Sequence, residues 1–434
     1  MSLNYSKKIV STLSRLFHLN RSITGKANRE TLKILKEIIP LNIIEYNSGI
    51  EVYDWKIPKE WILNDAWIKD SKGKKLIDFH QNNLHVVSYS NPVEKKLSFE
   101  ELKPFLHKSK SQFDAIPYRT SYYNKNWGFC LSSRQYNSLK NASEPFYIKI
   151  DSEFEPNGSL SVGELFIPGI SEEEILISTY FCHPSMANDN LSGTILTAFL
   201  AKELLKKENL HYSYRIIWVP ETIGAIAYSF MNEKKMKLIK AGFVITTVGG
   251  TGRFGFKMSY DPNHFLNSLV EEVFEEDDID FITYPFDIHG SDERQYSSPS
   301  FRINTVTITK DKYYEYDYYH TSLDNLDFVK GENINKSLNL YLKCINKIEE
   351  QIIYITNYPN CEVMLSKHNL YPKLGGEQLP DKTKKNQLDI ILWLLFWCDG
   401  KKTLKQISSK IKVEYEEVKK IALMLEKKKI IKRL

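Results

Sequence analysis

The sequence predicts an α/β fold with a central mixed, mostly parallel sheet flanked by helices, an inserted mostly-β module and a small helical domain at the carboxyl end. From Gly163 onward, strand-like and helix-like segments alternate along the chain, as they do in βαβ units. Residues 175–182 and 216–219 are apolar on both faces, which is typical of strands that helices cover on both sides.

The first part of the chain predicts helices and then extended strands. Apolar residues recur with helical spacing in residues 9–17 and again in residues 31–39, where the pattern ends before Pro40. Residues 61–149 then show short β-like runs, turn signals and few long helical patterns. We interpret this region as a separate β-rich insert.

The carboxyl-terminal part predicts a linker and a compact domain. Residues 353–385 are rich in Pro, Gly, Asn and Lys, which is typical of a linker. Residues 386–434 contain three short helical patterns and a final β-like run. This order predicts a small winged helix-turn-helix domain.

Composition narrows the class of protein. The 434 residues carry a net charge of +5, which gives no argument for nucleic-acid binding. The five cysteines are scattered and include no Cys-x-x-Cys pair, which indicates a reducing compartment. No signal-peptide pattern and no run of about 18 apolar residues occurs. We therefore expect a cytoplasmic protein that does not bind a membrane.

The carboxyl-terminal domain is locally basic, because residues 401–434 contain twelve Lys or Arg and four Glu. Charge of this sign favours phosphate contacts, so a regulator acting through its winged helix is one hypothesis. However, the presumed recognition helix starts among Glu414, Glu416 and Glu417, which would repel phosphates. We do not expect nucleic-acid binding, and we favour a role in contacts with a partner or a second copy.

Two residues stand in the irregular segment between a buried strand and a buried helix. His183 ends the β-rich run, and Asp189 follows six residues later, just before the helical pattern. Imidazole and carboxylate held on rigid elements are what a hydrolytic metal site uses. The simpler alternative is a loop histidine and a carboxylate that caps the helix, and the sequence leaves both interpretations open.

Other candidates follow further along the chain. Glu221 comes directly after an apolar strand, where partial desolvation would suit a general base, although it could equally cap a helix. His320 lies among aromatic residues, a setting that is more common for a core histidine than for a ligand. The loop residues Asp292, Glu293 and Arg294 predict a salt-bridged turn and weakly suggest substrate contacts.

The order of these motifs carries a family resemblance. In sequence and in order, the chain resembles the co-catalytic zinc exopeptidases of the aminopeptidase Y type in the stretches "RSITGKANRETLKIL", "CHPSMANDNLSG", "VPETIG", "TTVGG", "GSDERQY" and "YHTSLDNLDFV". It resembles more specifically a group of bacterial aminopeptidase-like proteins with the same insert and a winged-helix tail. The resemblance implies the zinc-exopeptidase fold, of the phosphorylase/hydrolase-like type, for residues 1–60 together with 150–352.

The resemblance also implies roles for single residues. His183 matches the first histidine ligand, Asp189 the bridging aspartate, His320 the second histidine and Glu221 the general base. Arg21 matches the opening arginine of the family and joins the loop residues Asp292, Glu293 and Arg294 as a weak candidate for substrate binding.

Three positions depart from the family pattern. Thr222 stands where a liganding glutamate is expected, Thr247 where a second aspartate is expected, and Ser185 where an aspartate usually orients the first histidine. Two histidines and one aspartate remain, which is the usual ligand count for a single catalytic zinc. We therefore expect one zinc ion per chain.

The favoured function is a zinc-dependent, aminopeptidase-like hydrolase of a peptide or another small amide, with Glu221 as general base. The altered positions Thr222 and Thr247 motivate an alternative, a catalytically inactive binding protein with the same fold. The insert and the winged helix are the two regions through which we would expect a homodimer to form.

Overall fold

The structure, a computed structural model, describes residues 4–371 and 386–433. The chain divides into two compact units, Met1–Cys344 and Ile345–Leu434. No helix within the described ranges is both long and apolar enough to cross a membrane.

The strands of the first unit include the central sheet and the strands of the insert. In chain order they are β1 (Asn42–Asn47), β2 (Glu51–Val52), β3 (Trp55–Lys56), β4 (Glu60–Lys69), β5 (Lys75–Asp78), β6 (Val93–Leu97), β7 (Leu106–His107), β8 (Phe129–Cys130), β9 (Phe146–Glu155), β10 (Ser159–Ile167), β11 (Glu174–Tyr180), β12 (Ser213–Val219), β13 (Ile239–Val244), β14 (Phe254–Lys257), β15 (Phe281–Tyr284) and β16 (Asn304–Lys310).

Helices precede the first strand, follow the last one and connect several of the strands between them. They are α1 (Ser6–Phe17), α2 (Lys26–Lys36), α3 (Phe99–Leu102), α4 (Ser133–Lys140), α5 (Gly193–Leu204), α6 (Ile223–Met231), α7 (Glu233–Met236), α8 (Phe265–Glu276), α9 (Glu293–Tyr296) and α10 (Gly331–Glu350). Short 3₁₀ turns occur at Asn83–His85 and Lys103–Phe105, and an irregular helical turn at Ala187–Ser192 leads into α5.

The central sheet has eight strands in the order β1-β10-β12-β11-β13-β16-β14-β15. Strands β12, β11, β13 and β16 pair in parallel, as do β14 and β15. Strand β10 pairs with β1 and β12, and β14 with β16, in antiparallel fashion. Every residue of β11 and β12 is buried. This architecture confirms the predicted fold class, because continuous apolar strands are what a sheet covered on both faces requires.

The insert contributes a second, antiparallel sheet with the order β5-β4-β9-β6. Strand β4 begins at Glu60, and β9 runs through residue 149 to Glu155, so the sheet crosses the boundaries assigned from the sequence. Its apolar face belongs to the same hydrophobic cluster as residues of the central sheet, for example Ile148 with Leu176. The insert is therefore built onto the α/β domain through a shared core.

The second unit contains α11 (Gln387–Trp397), α12 (Leu404–Ile411) and α13 (Tyr415–Lys427), as the winged-helix prediction requires. Its strands β17 (Ile353–Thr356), β18 (Asp399–Thr403) and β19 (Ile431–Arg433) form an antiparallel sheet with β17 in the middle. Residues 353–356 belong to the predicted linker, but their alternation of Ile, Tyr, Ile and Thr suits a half-buried strand. Residues 372–385 of that linker lie outside the described residues.

Candidate metal centre

The candidate site lies where the parallel strands end. His183 comes three residues after the end of β11, and Glu221 comes two residues after the end of β12. Because β11 and β12 are parallel neighbours, their carboxyl ends meet at one edge of the sheet. His320 joins them from the loop between β16 and α10.

His183, Asp189 and His320 form a compact donor cluster. Each offers one ligand atom, and these three atoms all lie within 4.8 Å of one another. The Asp189 carboxylate lies 3.1 Å from the His320 ring (Oδ2 to Nε2) and 3.5 Å from the His183 ring (Oδ1 to Nδ1). The structure thus brings together the two histidines and the aspartate to which the resemblance assigns a ligand role.

Three buried polar atoms of this cluster have no hydrogen-bond partner among the described residues. They are His183 Nδ1, Asp189 Oδ2 and His320 Nε2. A buried polar atom without a partner costs free energy unless something else satisfies it. Two imidazoles and one carboxylate are also the donor set of a mononuclear zinc site with an open fourth position. The residues therefore fit one divalent metal ion.

Electrostatics keep the cluster charged in a buried setting. Burial raises the pKa of Asp189, but the charge of His183 and the proximity of both histidine rings, 3.5 and 3.1 Å from the carboxylate, outweigh it, and the pKa is lowered. Burial lowers the pKa of His183, but the Asp189 carboxylate outweighs it, and this pKa is raised well above its usual value. A cation that binds the imidazole would displace a proton, so metal binding at this site should depend on pH.

Asp189 is held by groups on both sides. The Tyr180 hydroxyl donates a hydrogen bond of 2.6 Å to Asp189 Oδ1 and lies 2.7 Å from the Thr246 hydroxyl. The Asp324 carboxylate accepts hydrogen bonds from the backbone N–H groups of Asn188 (2.6 Å) and Asp189 (2.9 Å). Burial, assisted by the charge of Asp189, raises the pKa of Asp324 to about 7. Together these contacts fix the loop that carries the central ligand.

Glu221 stands beside the donor cluster and also faces solvent. Its Oε2 lies 3.3 Å from His183 Nε2, and its side chain is 27% exposed. Its backbone N–H donates to the Cys182 sulfur at 3.3 Å. Glu221 also lines a pocket of about 400 Å³. A carboxylate in this position can reach both the donor cluster and a molecule in the pocket.

The altered positions, Thr222 and Thr247, form hydrogen bonds with other residues of the chain. Thr222 has a positive φ of 63°, and its N–H donates to Asp292 Oδ1 at 2.7 Å. The Thr247 hydroxyl pairs with the Thr309 hydroxyl. The neighbouring Thr246 reaches Asp189 through Tyr180 instead. Neither altered position supplies a carboxylate to the cluster.

The weaker substrate-binding candidates separate into two groups. Arg21 is fully buried, and its Nε and Nη2 donate to the His183 carbonyl at 3.1 and 2.9 Å, which fixes the backbone of a donor residue. Glu293 is also buried, in an ion pair of 2.7 Å with Lys257. Arg294, by contrast, lines the pocket beside Glu221. Arg294 is therefore the candidate with access to a ligand.

The insert supplies a site residue that the sequence analysis missed. The ring of Tyr118 lies 5.3 Å from the ring of His183 and 5.3 Å from that of His320, measured between centroids. Its backbone N–H donates to the His320 carbonyl at 2.8 Å, next to a bridge between Pro117 and Thr321. No local sequence pattern around Tyr118 indicated that it meets a site more than sixty residues away.

Comparisons with known proteins agree with this architecture. The family described as "Domain of unknown function (DUF4910)" matches residues 10–351, and a winged helix-turn-helix family matches residues 352–433. A Clostridium acetobutylicum protein described as "Putative polysaccharide biosynthesis protein with aminopeptidase-like domain" is 41% identical over 425 residues, which cover 98% of this chain and 96% of that protein.

Solved structures show the same fold. A crystal structure described as a putative peptidase from Clostridium acetobutylicum has a TM-score of 0.81 at 40% identity and covers 99% of this chain and 96% of its own. BSAP, a zinc aminopeptidase from Bacillus subtilis, has a TM-score of 0.58 at 12% identity, with 80% and 96% covered. The chain is thus an aminopeptidase-like protein with a carboxyl-terminal winged helix, and it belongs to the DUF4910 family.

Proposed function

We propose that this protein is a zinc-dependent hydrolase of amide bonds, with one zinc ion bound by His183, Asp189 and His320. The observation that carries the proposal is the cluster of three buried donor atoms without hydrogen-bond partners, with Glu221 beside it. The fold shared with a zinc aminopeptidase supports the same proposal. The substrate is a peptide or another small amide that enters the pocket next to Glu221.

Glu221 is the proton carrier in this proposal. When bound, zinc would supply a Lewis acid that polarises the amide carbonyl. Glu221 then accepts a proton from the attacking water at its carboxylate and passes it to the nitrogen of the leaving amine. The C–N bond breaks, the water oxygen stays on the acyl carbon, and the carboxylate is regenerated. Its partial exposure lets Glu221 meet both water and substrate.

The protein positions the reacting groups in advance. Arg21 fixes the backbone of His183, and Asp324 fixes the backbone of Asp189. The Tyr118 ring packs edge-to-face against both histidine rings. Such support from surrounding residues preserves ligand geometry during turnover.

Replacing Glu221 by Gln tests the proposal. The variant should lose turnover of amino-acid 4-nitroanilides or of N-acyl amino acids by roughly 100-fold or more, because a general base contributes about that much. It should keep its metal, which elemental analysis measures. The control is the same substitution at the exposed Glu172, which should leave turnover unchanged. Unchanged turnover in the Glu221→Gln variant would refute the assigned role.

A second candidate is a binding protein that keeps the fold without catalysis. Thr222 and Thr247 support it, since both stand where the resemblance expects liganding carboxylates and both are hydrogen-bonded elsewhere. One relative is described as a putative polysaccharide biosynthesis protein, so the compounds tested as substrates should include amides on sugars. Metal binding without turnover of any peptide, N-acyl or sugar amide would favour this candidate.

A further inference from the structure

The pocket beside Glu221 is built from several parts of the chain. Its volume is about 400 Å³, which is within the usual range for small-molecule sites. Residues of the α/β domain and of the insert line it together: Ile23, Trp55, Thr120, Ser121, Tyr122, Tyr123, Asn124, Cys182, Glu221, Thr222, Ile223 and Arg294. The insert thus contributes one wall of a pocket whose other wall carries the proposed general base.

Arg294 is the cation of this lining; it interacts with the charge of Asp292, but it forms no ion pair among the described residues. Its Nε is buried and has no hydrogen-bond partner, and the described residues include no carboxylate in an ion pair with its guanidinium. Asp292, two residues earlier, uses Oδ1 to accept the Thr222 N–H instead. A half-buried guanidinium without partners is costly, and a planar carboxylate is the ligand that satisfies it best.

Aromatic rings form the outer part of the same pocket. Trp55 is 41% exposed and Tyr123 is 50% exposed, and their ring centroids lie 5.8 Å apart. Exposed aromatic rings at the edge of a concave site offer flat apolar faces to a ligand. The pocket therefore combines the Glu221 carboxylate, a guanidinium without an ion pair among the described residues, and aromatic walls.

We infer that this pocket binds the substrate through a carboxylate held by Arg294, so that the substrate class is amides that carry a carboxylate. This inference rests on the proposed function and specifies its substrate. The amide bond lies toward Glu221 and the carboxylate toward Arg294. A substrate that offers an ammonium group to Arg294 is disfavoured by repulsion between like charges.

Two matched pairs of compounds test the inference on the full chain. One pair is benzoylglycine and its neutral amide, and the other is leucylglycine and its neutral amide. We expect a KM for each carboxylate that is roughly 10- to 100-fold lower than for its amide, because a charge-assisted hydrogen bond contributes about that much. Arg294→Met should remove this preference by raising the KM for each carboxylate toward the KM for its amide.

Controls separate the charge from its position. Arg294→Lys keeps the charge and should retain part of the preference. Lys125→Met removes a positive charge from the neighbouring insert loop, where Lys125 is exposed and outside the pocket lining, and should change nothing. A preference that survives in Arg294→Met, or that is lost equally in Lys125→Met, overturns the inference.

A binding experiment distinguishes failure of the inference from failure of the proposed function. Calorimetric titration of benzoylglycine into Glu221→Gln, and into Glu221→Gln combined with Arg294→Met, needs no turnover. Arg294-dependent binding without hydrolysis in the wild type would refute the hydrolase and support the carboxylate subsite. Hydrolysis of both members of each pair at equal KM would support the hydrolase and overturn the subsite. Absence of Arg294-dependent binding to either carboxylate overturns it as well.

Discussion

At the scale of single residues, the candidate metal centre depends on groups that hold the ligands as much as on the ligands. Asp324 is the clearest example, because it is fully buried and its carboxylate accepts two backbone N–H groups of the loop that carries Asp189. The same carboxylate also accepts a hydrogen bond from the Tyr316 hydroxyl at 2.9 Å. Removing it would leave buried donors without partners and free the loop.

Asp324→Ala should therefore weaken both stability and metal binding. We expect a loss of about 2–4 kcal/mol in the free energy of unfolding, because buried donors lose their acceptor. Zinc affinity should fall roughly 10- to 100-fold, as it does when supporting contacts of a ligand are removed. Urea unfolding and a competitive zinc titration measure the two effects. The exposed Asp327 provides the control, and equal zinc affinity in Asp324→Ala and Asp327→Ala would contradict the assigned role.

The sequence predicted the meeting of His183, Asp189 and His320, and their role as metal ligands stays a proposal. Their positions could be predicted because ends of parallel strands converge, and because the resemblance supplied the order of the motifs. The roles of Tyr118 and Asp324 could not be predicted in this way. Both act through contacts between segments distant in sequence, which hydrophobic periodicity does not encode.

At the scale of elements, the beginning of helix α8 contains a pH-sensitive residue. His264 is the N-cap, and its ring nitrogen accepts a hydrogen bond from the Leu266 N–H at 3.4 Å. Burial lowers the pKa of His264 to about 4, although the charge of Asp261 acts in the opposite direction. Between about pH 4 and the ordinary value of 6.5, the unfolded chain binds the proton and the folded chain does not.

This cap should make the protein less stable in mild acid. The contribution of His264 to the free energy of unfolding is on the order of 1–3 kcal/mol. It is fully present above pH 6.5 and is lost as the pH falls toward 4. His264→Asn keeps a side chain that can cap the helix and removes the titrating group. Urea unfolding at pH 5 and pH 7 should show a smaller difference for this variant than for wild type. The same substitution at the exposed His289 is the matched control, and equal pH dependence in both variants would refute the prediction.

Among the elements, the sequence predicted the buried central strands and the three helices of the second unit well. These elements have strong apolar patterns, and the structure confirms them. Strand β17 was not predicted, because its four residues lie in a context rich in Pro, Asn and Lys. Its partners β18 and β19 lie more than forty residues away, and pairing over that distance leaves little local signal.

At the scale of the whole molecule, the second unit has a hydrophobic core of its own, which includes Ile390, Leu394, Ile407 and Leu425. Helix α13, the presumed recognition helix, has Glu416 and Glu417 in its first turn. We therefore expect no gel shift of a mixed-sequence DNA duplex by the full chain at physiological salt, since acidic groups there repel phosphates. A salt-resistant shift would instead support a regulator that acts through this unit.

The central claim for the whole molecule is a single metal ion held by His183, Asp189 and His320. Elemental analysis of the purified full chain, after zinc loading and removal of free metal, tests it most directly. We predict about one equivalent of zinc per chain, lost in both His183→Ala and His320→Ala and kept in a variant of the exposed His289. Two equivalents would show that a further ligand set exists, and zinc that persists in both histidine variants, or zinc that never binds, would contradict the account.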